Sequence, residues 1–194
     1  MIIFLDKTRL KQLGDSVLLV GIVLLVYDLA SLANSGVDFF DPRTFFNTLV
    51  AYVNSFIVVY LYWSLFSVLL TYIEKVDVML FLLFIVFLIL VTLVPVANIL
   101  FLQQRNQQSQ NFHAFIHVVP GIILMFAMFL RKHELTRMGH KDYRHELISI
   151  TIIPAIYFLS FLFAFLDSMI SQLVPFFVIP LFILVGSKIH KSDH

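Results

Sequence analysis

Charged residues in this chain gather in clusters, and long apolar runs lie between them. A helix needs about 20 mostly apolar residues to cross a bilayer, where it satisfies its own backbone hydrogen bonds. Six runs meet that requirement. The first spans Ser16 to Leu32, with Asp28 near its end. The second is the 30-residue uncharged stretch between Arg43 and Glu74, and the third the 27 residues between Asp77 and Arg105. The fourth precedes Arg131; Gln107 to Asn111 are polar enough to read as loop, so its helix is expected to start near Phe112. The fifth covers Leu147 to Leu166 and the sixth lies within Ser168 to Ser187, with Pro175 expected in its first turn, where proline is tolerated. The pattern predicts an all-α polytopic membrane protein with six transmembrane helices, residues 1–194 forming one domain.

Positive charge tests that count. With six spans and an inner N-terminus, the inner segments hold Lys7, Arg9, Lys11, Lys75, Arg131, Lys132, Arg137, Lys141, Arg144, Lys188 and Lys191; the outer ones hold Arg43 and Arg105. Eleven against two is a strong positive-inside bias, which predicts that both termini lie in the cytoplasm. Composition agrees: 60% of residues are apolar and 13% charged, against roughly 25% charged in an ordinary soluble chain. The net charge of +1 does not point to nucleic acid. With no cysteine, disulfides and thiolate chemistry are excluded. Ala30-Ser31-Leu32-Ala33 has the small-residue character of a signal-peptide cleavage site, but the apolar runs that follow favour a retained first helix.

Residues with chemical potential are few. No Gly-x-Ser-x-Gly or His-Glu-x-x-His occurs, and His133-Glu134 lacks the second histidine, so an enzyme is not expected. His113 and His117 share a helix face at i and i+4, without a third ligand nearby; bonding within the bundle is the simpler reading, and neither a metal site nor a cofactor is expected. Asn54 and Ser55, inside the second run, are expected to bond a neighbouring helix. The loop from Arg131 to Glu146, with alternating charge, reads as a solvated topology-setting loop or as a docking surface for a soluble partner through Arg137, Lys141 and Arg144.

The first helix carries the most information. Arg9 and Asp15 flank its expected start. Asp15 there serves either to stabilise the positive end of the helix dipole or, with Arg9, to hold helices around a pore mouth. Ser16, Val20, Leu24, Tyr27, Ser31 and Asn34 recur at steps of four and three, polar at both ends and apolar between. This stripe fits a pore with a dewetting constriction, and equally ordinary helix packing. Asp28 is either a lure for cations at an outer mouth or an interfacial marker.

Taken together, these residues resemble the transmembrane protein 175 family, the lysosomal-type potassium channels and their prokaryotic relatives. The family's mark is an arginine, three residues, Phe-Ser-Asp and an apolar helix; here Arg9, Leu13, Gly14 and Asp15 occupy that frame, Leu and Gly standing for Phe and Ser. Tyr27-Asp28 resembles its Leu-Glu, and Asn54-Ser55-Phe56 followed by Trp63 resembles its Ser-Phe and tryptophan, with Phe66 where the family has histidine. Lys75-Val76-Asp77 and Leu93-Val94-Pro95 are similar too.

The resemblance implies a homotetramer around a central pore lined by the first helix and permeated by monovalent cations, potassium first among them. It implies a constriction at Val20, Leu24 and Tyr27, supported by Arg9, Asp15 and Trp63, with Asp28 at the outer mouth. Tyr27 replaces the family's usual leucine. The alternative is a non-conducting membrane anchor or sensor that recruits a soluble partner, as in a bacterial stress or defence system.

Overall fold

A computed structural model describes residues 6–34, 41–73, 75–104 and 106–131, with six further positions between 151 and 162. The described chain is helical: α1 (Lys7–Asn34), α2 (Pro42–Tyr72), α3 (Val78–Thr92), α4 (Val94–Gln104) and α5 (Gln107–Leu130). Among the described residues, four stretches are long and apolar enough to cross a membrane: Lys7–Tyr27, Thr44–Tyr72, Val78–Phe101 and Gln107–Leu130. The expected fifth and sixth spans, and the loop carrying Arg137, Lys141 and Arg144, lie outside the described residues, apart from isolated helical positions such as Thr151 and Leu162.

Three boundaries differ from the sequence expectation, each for a local reason. α1 begins nine residues earlier than Ser16, at Lys7. Asp6 starts it: its carboxylate accepts from the Thr8 N–H at 2.8 Å and its carbonyl from the Leu10 N–H. The Thr8 N–H also holds the Asp6 carboxyl below its usual range. Asp15 therefore lies two turns inside the helix, and the dipole role open to it falls to Asp6. α5 begins at Gln107, so the polar segment read as loop is helix. Asn106 and Ser109 form a reciprocal capping box, Oδ1 accepting from the Ser109 N–H at 2.8 Å and Oγ from the Asn106 N–H at 3.2 Å.

The third run is interrupted at Leu93, between α3 and α4. Pro95 has no N–H for the Val91 carbonyl and its ring crowds that turn. The chain tightens there, with the Leu93 N–H reaching back three residues to Leu90. Pro120, by contrast, sits inside an unbroken α5.

α2 packs between α1 and α4, and α5 packs against α3 and α4. The core has an aromatic centre in which Tyr62, Phe66, Phe84 and Phe87 are all fully buried. Phe66 meets Phe84 edge-on at 5.1 Å and stacks on Phe87 at 5.5 Å, both favourable geometries for aromatic pairs.

Two charged contacts close one end of the bundle. Lys7 Nζ donates to the Ile73 carbonyl at the C-terminus of α2 (3.3 Å), and Arg131 pairs with Asp77 at 2.7 Å. Asp77 also caps α3 through the Leu80 N–H. In both cases a cation meets a helix C-terminus, and Asp77 meets an N-terminus, the signs the helix dipoles favour.

Candidate functional site in the first helix

α1 presents two different sides. Leu10, Gly14, Gly21 and Leu25 recur at steps of four and seven residues and are buried, Leu10 at 2% and Leu25 at 3% exposure. α1 runs antiparallel to α2: Lys7 meets Ile73, Gly14 meets Phe66, and Gly21 lies against Val59. Each step of seven residues along α1 matches seven along α2. That spacing is two helical turns, the repeat of a left-handed coiled pair.

The predicted constriction residues lie away from this seam. Val20 is 52% exposed, Tyr27 69%, and Leu24 half-buried. Leu19, Val23 and Val26 extend the open apolar surface. Asp28 is in the last turns of α1; its side chain is not among those described.

Of the three predicted supports, two meet. Trp63 Nε1 donates to Asp15 Oδ1 at 2.8 Å, joining α2 to α1. Arg9 is exposed near the start of α1 and the structure does not join it to either. At about 100° per residue, Asp15 stands about 140° from Val20 and about 180° from Leu24. The bonded side and the stripe are thus on different flanks of the helix.

Gly14 on α1 and Phe66 on α2 lie against each other. A Cβ on Gly14 would lie 2.5 Å from Phe66 Cε1. Glycine inside a helix costs about 1 kcal/mol relative to alanine, so a packing reason is needed, and this approach supplies it. At Gly21 the corresponding distance to Val59 Cγ1 is 3.8 Å, ordinary contact.

A second polar feature joins α2, α4 and α5, and sequence reasoning missed its centre. Asn98 Nδ2 donates to Ser55 Oγ at 2.6 Å, and Ser55 Oγ donates to the Ala51 carbonyl at 2.8 Å. Asn98 Oδ1 is then left to accept from His113 Nε2 at 2.8 Å. His117 Nδ1 donates to the His113 carbonyl at 2.7 Å, while Tyr62 donates its hydroxyl hydrogen to the His117 carbonyl. The two histidine rings lie 4.1 Å apart, tilted by 31°. The i, i+4 spacing placed the histidines on one face; a lone Asn98 in an apolar run was the available signal for their partner. Among the described residues no three His, Cys, Asp or Glu side chains gather as metal ligands.

A family model described as "Endosomal/lysosomal potassium channel TMEM175" matches residues 9–95. That stretch contains every predicted constriction and support residue and ends before Asn98. No curated protein and no solved structure matches the chain.

Proposed function

We propose, from the match of residues 9–95 to the TMEM175 family model, that the chain is a cation-permeable, potassium-conducting channel of the inner membrane. In this reading, four copies of a six-span, single-domain chain with cytoplasmic termini surround one pore, and α1 lines it. Val20, Leu24 and Tyr27 form the constriction. Rings of apolar side chains exclude water and set the barrier to ions by dewetting. Asp28 concentrates cations at the outer mouth, and Arg9, Asp15 and Trp63 hold α1 in place.

The observation that carries this reading is the division of α1. One side is buried at Leu10, Gly14, Gly21 and Leu25, the two glycines against α2; the other leaves Val20, Val23 and Tyr27 open, inside the stretch that matches a channel family. The Asp15–Trp63 bond supports the same reading, because it fixes α1 from the flank away from the stripe.

The test is potassium and sodium flux from proteoliposomes holding the purified chain, with Leu24→Ser in parallel. The expected result is potassium flux that the serine increases, because a polar ring wets the constriction. Tyr27, in place of the family's usual leucine, favours the second reading, a non-conducting anchor, since four tyrosines can close so narrow a pore. Absence of flux from both proteins as intact tetramers would favour the anchor, and capture of a soluble partner through Arg137, Lys141 and Arg144 would then be measured.

A further inference from the structure

We infer that the contact between Gly14 and Phe66 is the fulcrum that sets how far α1 stands from α2, making Phe66 a positioning residue for the pore helix. This rests on the channel reading. Several observations converge on it. The approach is so close that the smallest side chain at position 14 would meet the ring at 2.5 Å. The ring has nowhere to go: Phe66 is fully buried, edge-on to Phe84 and stacked on Phe87. A flexible side chain would swing aside; a ring held by two other rings passes the displacement to the helix instead. One turn from Phe66 on α2, Trp63 holds the very next α1 residue, Asp15, at 2.8 Å. Two turns along α1, Gly21 is in ordinary contact with Val59, so the tight point is local to Gly14.

An added methyl at position 14 therefore moves α1 outward, stretches the Trp63–Asp15 bond and shifts Val20 and Leu24, one and a half to three turns further along α1. Shortening the side chain at position 66 in the same molecule reopens the space and lets α1 return. The effect belongs to the pair: either change alone displaces or loosens the helix, and both together restore it.

Trp63 is the sole tryptophan in the chain, so its emission reports the bond to Asp15 without interference. The experiment compares Gly14→Ala, Phe66→Leu and the double variant in full-length protein in proteoliposomes, reading tryptophan emission and potassium flux. Asp15→Leu marks the emission of a broken bond. Gly14→Ala is expected to take the emission of Asp15→Leu and to change flux by about fivefold, the low end for coupled sites. The double variant is expected to return both to wild type. Should Gly14→Ala fail to fold, the double variant must still fold with wild-type emission. The inference is overturned by a folded Gly14→Ala with unchanged emission, or by a double variant that shows no recovery. If the emission follows the expected pattern but no variant, Leu24→Ser included, conducts, the channel reading falls and the fulcrum stands. If flux responds to Leu24→Ser but emission ignores Gly14→Ala, the fulcrum falls and the channel stands.

Discussion

α1 and α2 are close to equal in hydropathy, yet only 22% of the α1 span is buried inside the protomer against 56% of the α2 span. Apolarity alone does not distinguish a helix that makes a core from one that waits for another surface. The difference lies in how each helix distributes its residue sizes. α2 carries Tyr62, Phe66 and Leu69 into the aromatic centre. α1 carries two glycines along its buried seam, approaches α2 closely, and leaves Val20, Val23 and Tyr27 outside.

The comparison has consequences of graded size. The largest is expected where α2 meets the core. Phe87→Ala, next to Phe66 and Tyr62, should cost about 3–5 kcal/mol, as large aromatic truncations do. Val23→Ala on the open side of α1 should stay within about 0.5 kcal/mol. Reversible unfolding of the detergent-solubilised protomer measures both, and equal losses would break the distinction.

Next is the tie between the two helices. Asp15→Leu removes the acceptor of Trp63 and should cost about 1 kcal/mol. Asp15→Asn keeps an acceptor and should recover most of it in the same unfolding assay; equal losses would show that the charge, and not the bond, is what matters.

The polar link among α2, α4 and α5 should be weaker than its buried appearance suggests. A double-mutant cycle of Ser55→Ala and Asn98→Ala is expected to give a coupling of about 0.6 kcal/mol, because an unfolded state in the membrane also finds partners. The smallest effect is at the rim. Arg131→Gln should cost less than about 1 kcal/mol, and the loss should shrink as salt rises, since Asp77 is 38% exposed. A cost independent of salt would point to the packing of Arg131 instead.

Much of the fold was legible because charge marks where helices leave the membrane. Asp77 opens the third run and caps the helix that follows, and the second run between Arg43 and Glu74 coincides closely with α2. The misread boundaries share a cause. At Asn106 and at Asp6, short polar side chains cap helices, and a polar stretch looks like loop unless its three-residue spacing is noticed. At Pro95 a missing N–H broke a run that hydropathy alone read as continuous.

The candidate site was legible along α1 because a stripe is a one-dimensional pattern. What joins distant positions was not: Gly14 with Phe66, Trp63 with Asp15 and Asn98 with His113 depend on the register in which helices pack. Gly14 and Phe66, 52 positions apart in the chain, turn out to be neighbours in space.

The central claim is that the open side of α1 faces a pore, which a polar side chain wets, and not lipid. The chain has no cysteine, so single substitutions report cleanly. Tyr27→Cys on α1 and Phe126→Cys on α5 replace side chains that are both exposed in the protomer. A membrane-impermeant cationic thiol reagent needs a thiolate, which forms in water and not in hydrocarbon. In proteoliposomes, Tyr27→Cys is expected to react and Phe126→Cys to remain inert. If the two are equally inert, the open side of α1 is a lipid or packing surface, and the account of α1 as a pore helix is wrong.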